Sequence, residues 1–78
     1  MLAEEVKALL ASHLPGCDIS VEGEGANFQV VAVGEVFDGL NAVKRQQTIY
    51  AGINNKIASG DIHAVTIQTY TPAEWAAK

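Results

Sequence analysis

His63 and Cys17 are the side chains of this sequence best suited to metal or thiol chemistry. An imidazole is a good ligand for zinc, copper or iron. His63 follows the turn Gly60-Asp61 and opens a β-branched stretch, which puts it near a strand end and at a surface. No second histidine or cysteine stands within local metal-site spacing of it, so a closed site within one chain is not expected. If His63 binds metal, a partner supplies the other ligands. A lone histidine serves structure more often than chemistry, and that reading stands beside the metal one. Cys17 has no basic neighbour to lower its pKa and reads as a small buried hydrophobe rather than a nucleophile. His13 falls in the last turn of a helix, where a cation suits the dipole.

Lys44 and Arg45, with Lys56 further along the same helical segment, form the only basic cluster. A solvated helix face explains them by default, and contact with phosphate or an acidic protein surface is the functional reading. Gly23-Glu24-Gly25 joins two strands rather than a strand and a helix, so it is not a nucleotide fingerprint. The Gly-x-x-Gly loop of nucleic-acid-binding KH domains is absent. No nucleophile–base pair or carboxylate dyad has reason to converge, which points away from an enzyme.

The elements that must position these residues follow from periodicity. Leu2, Val6, Leu9, Leu10 and His13 recur at helical spacing until Pro15-Gly16 stops them. Cys17, Ile19 and Val21 alternate with polar residues as in a half-buried strand. Gly23 to Asn27 reads as a slightly long turn, and Phe28 to Val33 as a second strand. In the connector Gly34–Gly39, Val36 and Phe37 are expected to tuck inward. A second helix begins at Leu40, with Leu40, Val43, Gln47, Tyr50, Ile53 and Ile57 as its stripe. Gly52 interrupts it, so a bend or two abutting helices are expected there. Ile62 to Tyr70 carries apolar groups on both parities, the mark of an interior strand. Thr71, Pro72 and Glu74 then have the spacing of a helix-starting capping box.

The order is α-β-β-α(α)-β-α, an α/β (α+β) sandwich with a three-stranded mixed sheet and both long helices on one face. The helical crossover between strands two and three makes them parallel if they are neighbours. That pairing brings the loop Gly23–Asn27 beside His63. Cys17 falls at the opposite end of the sheet, roughly 15–20 Å away at about 3.3 Å per residue.

With 78 residues the chain makes one domain, residues 1–78, with a small core. No apolar run approaches the roughly 20 residues of a membrane span, and no secretory pattern opens the sequence. One cysteine cannot form an internal disulfide, which suits a cytoplasmic home. The net charge of −4 lowers the case for sequence-independent nucleic-acid binding.

The blocks Phe28–Gly39, Val43–Tyr50, Ile62-His63-Ala64 and Tyr70–Trp75, in this order, resemble the BolA family, closest to its short bacterial IbaG-like branch. The resemblance spans nearly the whole chain and implies a KH-like sandwich of class II type. It also implies a partner. BolA-like proteins pair with monothiol glutaredoxins and share a [2Fe–2S] cluster, the glutaredoxin side giving its cysteine and a bound glutathione thiol. The BolA side gives the histidine matching His63 and, in many members, a histidine or cysteine from the loop between the first strands. Here Asn27 takes that loop position, and an amide oxygen is a poor ligand for cluster iron. The implied roles are iron–sulfur trafficking or iron and stress regulation, as a monomer that forms a heterodimer with its partner. Some members of the family are DNA-binding transcriptional regulators, a role that would recruit Lys44, Arg45 and Gly39. A third possibility is a cluster-free adaptor gripping glutaredoxin through Trp75 and the basic helix.

Overall fold

Alternation of apolar and polar residues from Ile19 to Val33 folds into an antiparallel hairpin of β1 (Asp18–Glu24) and β2 (Asn27–Val33). Its partners run from Asp18 opposite Val33 to Glu24 opposite Asn27. The connecting loop is therefore only Gly25-Ala26, shorter than the Gly23–Asn27 turn expected from composition. Gly25 has φ 64°, the positive value that a two-residue hairpin needs at its first position. A single-turn 3₁₀ segment, Glu35–Phe37, leads to α2 (Ala42–Ala58), then β3 (Ala64–Tyr70) and α3 (Pro72–Ala76). The chain opens with α1 (Ala3–His13). This computed structural model describes residues 1–78.

The sheet order is β1-β2-β3, with β2 and β3 parallel from Asn27 opposite Ala64 to Val33 opposite Tyr70. One face packs on the long helices. There Ile19, Phe28, Val30 and Ala32 meet Val6 and Leu10 of α1 and Ile49 and Ile53 of α2. The other face has no helix, and Ser20, Glu22, Gln29, Thr66 and Gln68 stand exposed on it. β3 is thus an edge strand, not the interior strand expected. The two-sided apolar pattern came from its flanks: Ile62 is buried before the strand starts, while Ala64, Thr66 and Gln68 face solvent.

Four further expectations change. Leu2 lies outside the core as the exposed N-cap of α1, where the Glu5 carboxylate accepts from its backbone amide at 2.8 Å. α2 starts two residues after Leu40, at Ala42, with the Asn41 side chain accepting from the Lys44 amide. Its core stripe is Ile49, Ile53 and Ile57, led by Arg45, so Val43 and Gln47 face solvent. Gly52 does not divide this helix, which runs unbroken from Ala42 to Ala58. A Cβ at Gly52 would lie 2.9 Å from Cδ2 of His13, so the glycine admits the end of α1 against α2. His13 Nε2 then donates to the Thr48 carbonyl at 3.1 Å.

Of the connector pair, Phe37 is fully buried and Val36 is 47% exposed. A three-residue 3₁₀ turn can direct only one of two adjacent side chains inward. Phe37→Ala is expected to cost about 3–5 kcal/mol through lost burial and a cavity. That is a large share of the roughly 5–15 kcal/mol that holds a domain. Val36→Ala stays within about 0.5 kcal/mol, as for other surface changes. Urea denaturation of the two variants checks the contrast.

Candidate metal-ligand site and its surroundings

Parallel pairing of β2 and β3 carries His63 to the hairpin turn. Its backbone amide donates to the Ala26 carbonyl at 2.7 Å, and the next amide, Ala64, donates to the same oxygen at 3.2 Å. Immediately before it, Ile62 is buried and its amide donates to the Lys56 carbonyl at 3.0 Å. The backbone on both sides of His63 is therefore tied down while its side chain stays exposed. Asn27 opens β2 next to this turn and is also exposed, paired with Glu24 on one side and Ala64 on the other. The two residues lie at the same end of the sheet, as the crossover geometry predicts.

Nothing else here completes a metal site. No group of three or more His, Cys, Asp and Glu side chains is arranged to hold an ion. Cys17 precedes β1 beside Gly34 at the far end of the sheet, a strand length of about 20 Å away. Burial, reinforced by neighbouring Asp18, pushes its thiol above the ordinary value. A thiol that resists ionisation is a poor nucleophile and a poor metal ligand.

The basic residues divide. Lys44 is exposed at the start of α2. Arg45 is largely buried, with Nε donating to the Leu40 carbonyl at 2.9 Å and the guanidinium gripping Glu74 at 2.7 and 3.4 Å. Glu74 in turn accepts from the Thr71 amide at 2.7 Å, while the Thr71 hydroxyl accepts from the Glu74 amide at 3.1 Å. This is the capping box read from the sequence, and Arg45 fastens it to the start of α2. Sequence reasoning missed the Arg45–Glu74 pair, whose short bond falls on Oε1, the oxygen that also accepts from the Thr71 amide. Gly39, with φ 77°, lies in the turn ahead of α2. Trp75, on α3, meets Tyr70 edge-on at 5.2 Å between ring centres.

The Arg45 hydrogen bond, followed by the Thr71 backbone amide, holds the Glu74 carboxyl below its ordinary pKa. A carboxyl lowered in the folded state adds stability above its unfolded value of about 4.3, and loses it as pH falls through the folded value. Glu74→Gln keeps the capping geometry and removes the charge. It is expected to lower the melting temperature slightly at pH 7, with the difference from wild type vanishing in acid. Melting curves from pH 7 to pH 3 check this.

The order of elements and the three-stranded mixed sheet agree with a known group. The family profile described as BolA-like protein matches residues 3–74. The chain belongs to the BolA family. The acid stress protein IbaG of Escherichia coli K12 is 50% identical over 72 residues, covering 92% of this chain and 86% of that protein. An uncharacterised protein of Acinetobacter guillouiae, from an rpoN–murA intergenic region, is 39% identical over 75 residues, 96% of this chain and 90% of that one. Among solved structures, a bolA homologue from Coxiella burnetii superposes with a TM-score of 0.86 over 97% of both chains at 30% identity. The α+β architecture of this BolA-like chain is that of BolA proteins. No helix in it is long and apolar enough to cross a membrane.

Proposed function

We propose that this BolA-like protein partners a monothiol glutaredoxin and contributes His63 as an iron ligand to a shared [2Fe–2S] cluster. The observation that carries the reading is an exposed imidazole on a backbone held by the Ala26 carbonyl. An ordered but accessible donor suits a cluster that must be shared between chains and released. The donor set fits one half of such a site and no more. One imidazole is available, Asn27 offers only an amide, and Cys17 is remote. Glutaredoxin cysteine and glutathione thiol would complete the ligands. When bound, the cluster supplies one-electron redox chemistry and transferable iron and sulfide, and an imidazole in place of a thiolate raises its potential. This chain's own part is to present the imidazole, keep the hairpin turn beside it and lend surface to the partner.

Titrating cluster-loaded glutaredoxin with wild type and His63→Ala tests this by visible absorption and circular dichroism. A new spectrum in wild type that is missing in His63→Ala supports the reading. Spectra unchanged by either protein refute it. DNA binding through Lys44, Arg45 and Gly39 has less support, because the Arg45 guanidinium is already shared between Glu74 and Leu40 and the net charge is −4. The Escherichia coli relative is an acid stress protein by name, and a stress-responsive role is part of the same proposal for this chain.

A further inference from the structure

At the end of the sheet away from His63, a cleft of about 520 Å³ opens between the Pro15–Asp18 segment, the end of β2 with its 3₁₀ turn, and α3. Pro15, Val33, Val36, Pro72 and Trp75 line it with apolar surface, and Asp18 and Glu35 supply its charges. Val36 and Trp75 are two of the four large hydrophobic side chains that this small protein leaves exposed. Both are at one site, and tryptophan in a pocket is the side chain most often found to anchor a protein interface. Neither Asp18 nor Glu35 has a cationic partner, since the only ion pair in the molecule joins Arg45 to Glu74. Asp38 adds a carboxylate in the adjoining hollow beside Glu35 and Pro72.

We infer that this cleft docks a segment of a partner protein bearing an aliphatic anchor flanked by lysine or arginine. The apolar floor takes the anchor, and the unpaired Asp18 and Glu35 carboxylates take the flanking cations. Outside the cleft, the Lys78 ammonium lies 4.8 Å from the Trp75 ring centre and 4.9 Å from that of Tyr70. The surface is a strand length, about 20 Å, from the turn that carries His63. A partner seated here leaves the imidazole free, so the inference does not depend on the cluster reading.

The probe is a synthetic peptide, acetyl-Lys-Arg-Leu-Leu-Lys-Arg-amide, with two controls. One control exchanges the basic residues for glutamate, and the other exchanges Leu-Leu for Gly-Gly. Binding is followed by the fluorescence of Trp75, the only tryptophan, and by backbone amide NMR shifts. The basic, apolar peptide is expected to change Trp75 emission and to shift Gly34, Glu35, Val36 and Trp75. Glu35→Lys and Val36→Ser should each weaken it by roughly tenfold. If Glu35→Lys does not fold, Asp18→Asn on the exposed edge strand carries the same charge test. The inference is overturned if either control binds equally well, if shifts gather instead around Glu4 and Glu5, or if nothing binds at millimolar peptide.

Discussion

Gly23→Ala is expected to destabilise the fold by about 2–6 kcal/mol, from backbone strain and steric overlap of roughly 1–3 kcal/mol each. Gly23 sits within β1 at φ 140°, a conformation that side chains with a Cβ rarely adopt. A Cβ there would also overlap the Asn27 carbonyl oxygen and lie 2.8 Å from the Phe28 Cα. Both obstacles are backbone, so no rotamer change relieves them. The nearby Gly25, at φ 64°, has nothing within 4 Å of such a Cβ. Gly25→Ala should therefore show the strain cost alone, about 1–2 kcal/mol. The effect reaches the site, because displacing Asn27 moves the turn whose Ala26 carbonyl holds His63. Urea denaturation measures both variants. A Gly23→Ala change under about 0.5 kcal/mol would mean the hairpin does not hold this register.

His63→Ala is expected to do the reverse, leaving stability within about 0.5 kcal/mol of wild type while removing the shared-cluster spectrum. The side chain is exposed and makes no hydrogen bond of its own, so the fold loses nothing that can be named. What anchors the segment is backbone, the His63 and Ala64 amides on Ala26 and the buried Ile62. Alanine keeps all of these. Asn27 and Glu24 at that turn offer only oxygen atoms and Cys17 lies at the far end, so no other imidazole or thiol on this chain stands there to substitute. Melting temperature and the visible spectrum of the glutaredoxin mixture separate the two effects. A large loss of stability would assign His63 to structure instead.

Much of this was legible in the sequence where one local rule dominated. The α1, β1 and β2 periods, the Thr71–Glu74 box and the parallel crossover all follow from spacing. With them came the meeting of His63 with the first hairpin, the juxtaposition on which the functional reading rests. Failures arose where a residue's role is set by something distant in the chain. Gly52 looked like a helix breaker because its reason is His13, on another helix. Arg45 looked like a free cation because Glu74 lies 29 positions away. The helix-two stripe was misphased by counting Leu40 and Val43, which lie before or at the exposed start of α2, and by passing over Ile49. The edge position of β3 was hidden because Ile62, which precedes the strand, was counted on one of its faces. The cleft around Trp75 draws on three separated segments of chain, and periodicity within any one of them does not reveal it.

The central claim, that His63 of this chain bonds to iron, is tested most directly by pulsed electron paramagnetic resonance of the reduced mixed complex. The protein is labelled with ¹⁵N-histidine and the glutaredoxin is left unlabelled. A strong ¹⁵N hyperfine coupling to the cluster is predicted in wild type and absent in His63→Ala, where His13 remains as an internal control. A cluster that forms in the mixed complex and shows no coupling to labelled histidine would contradict the account.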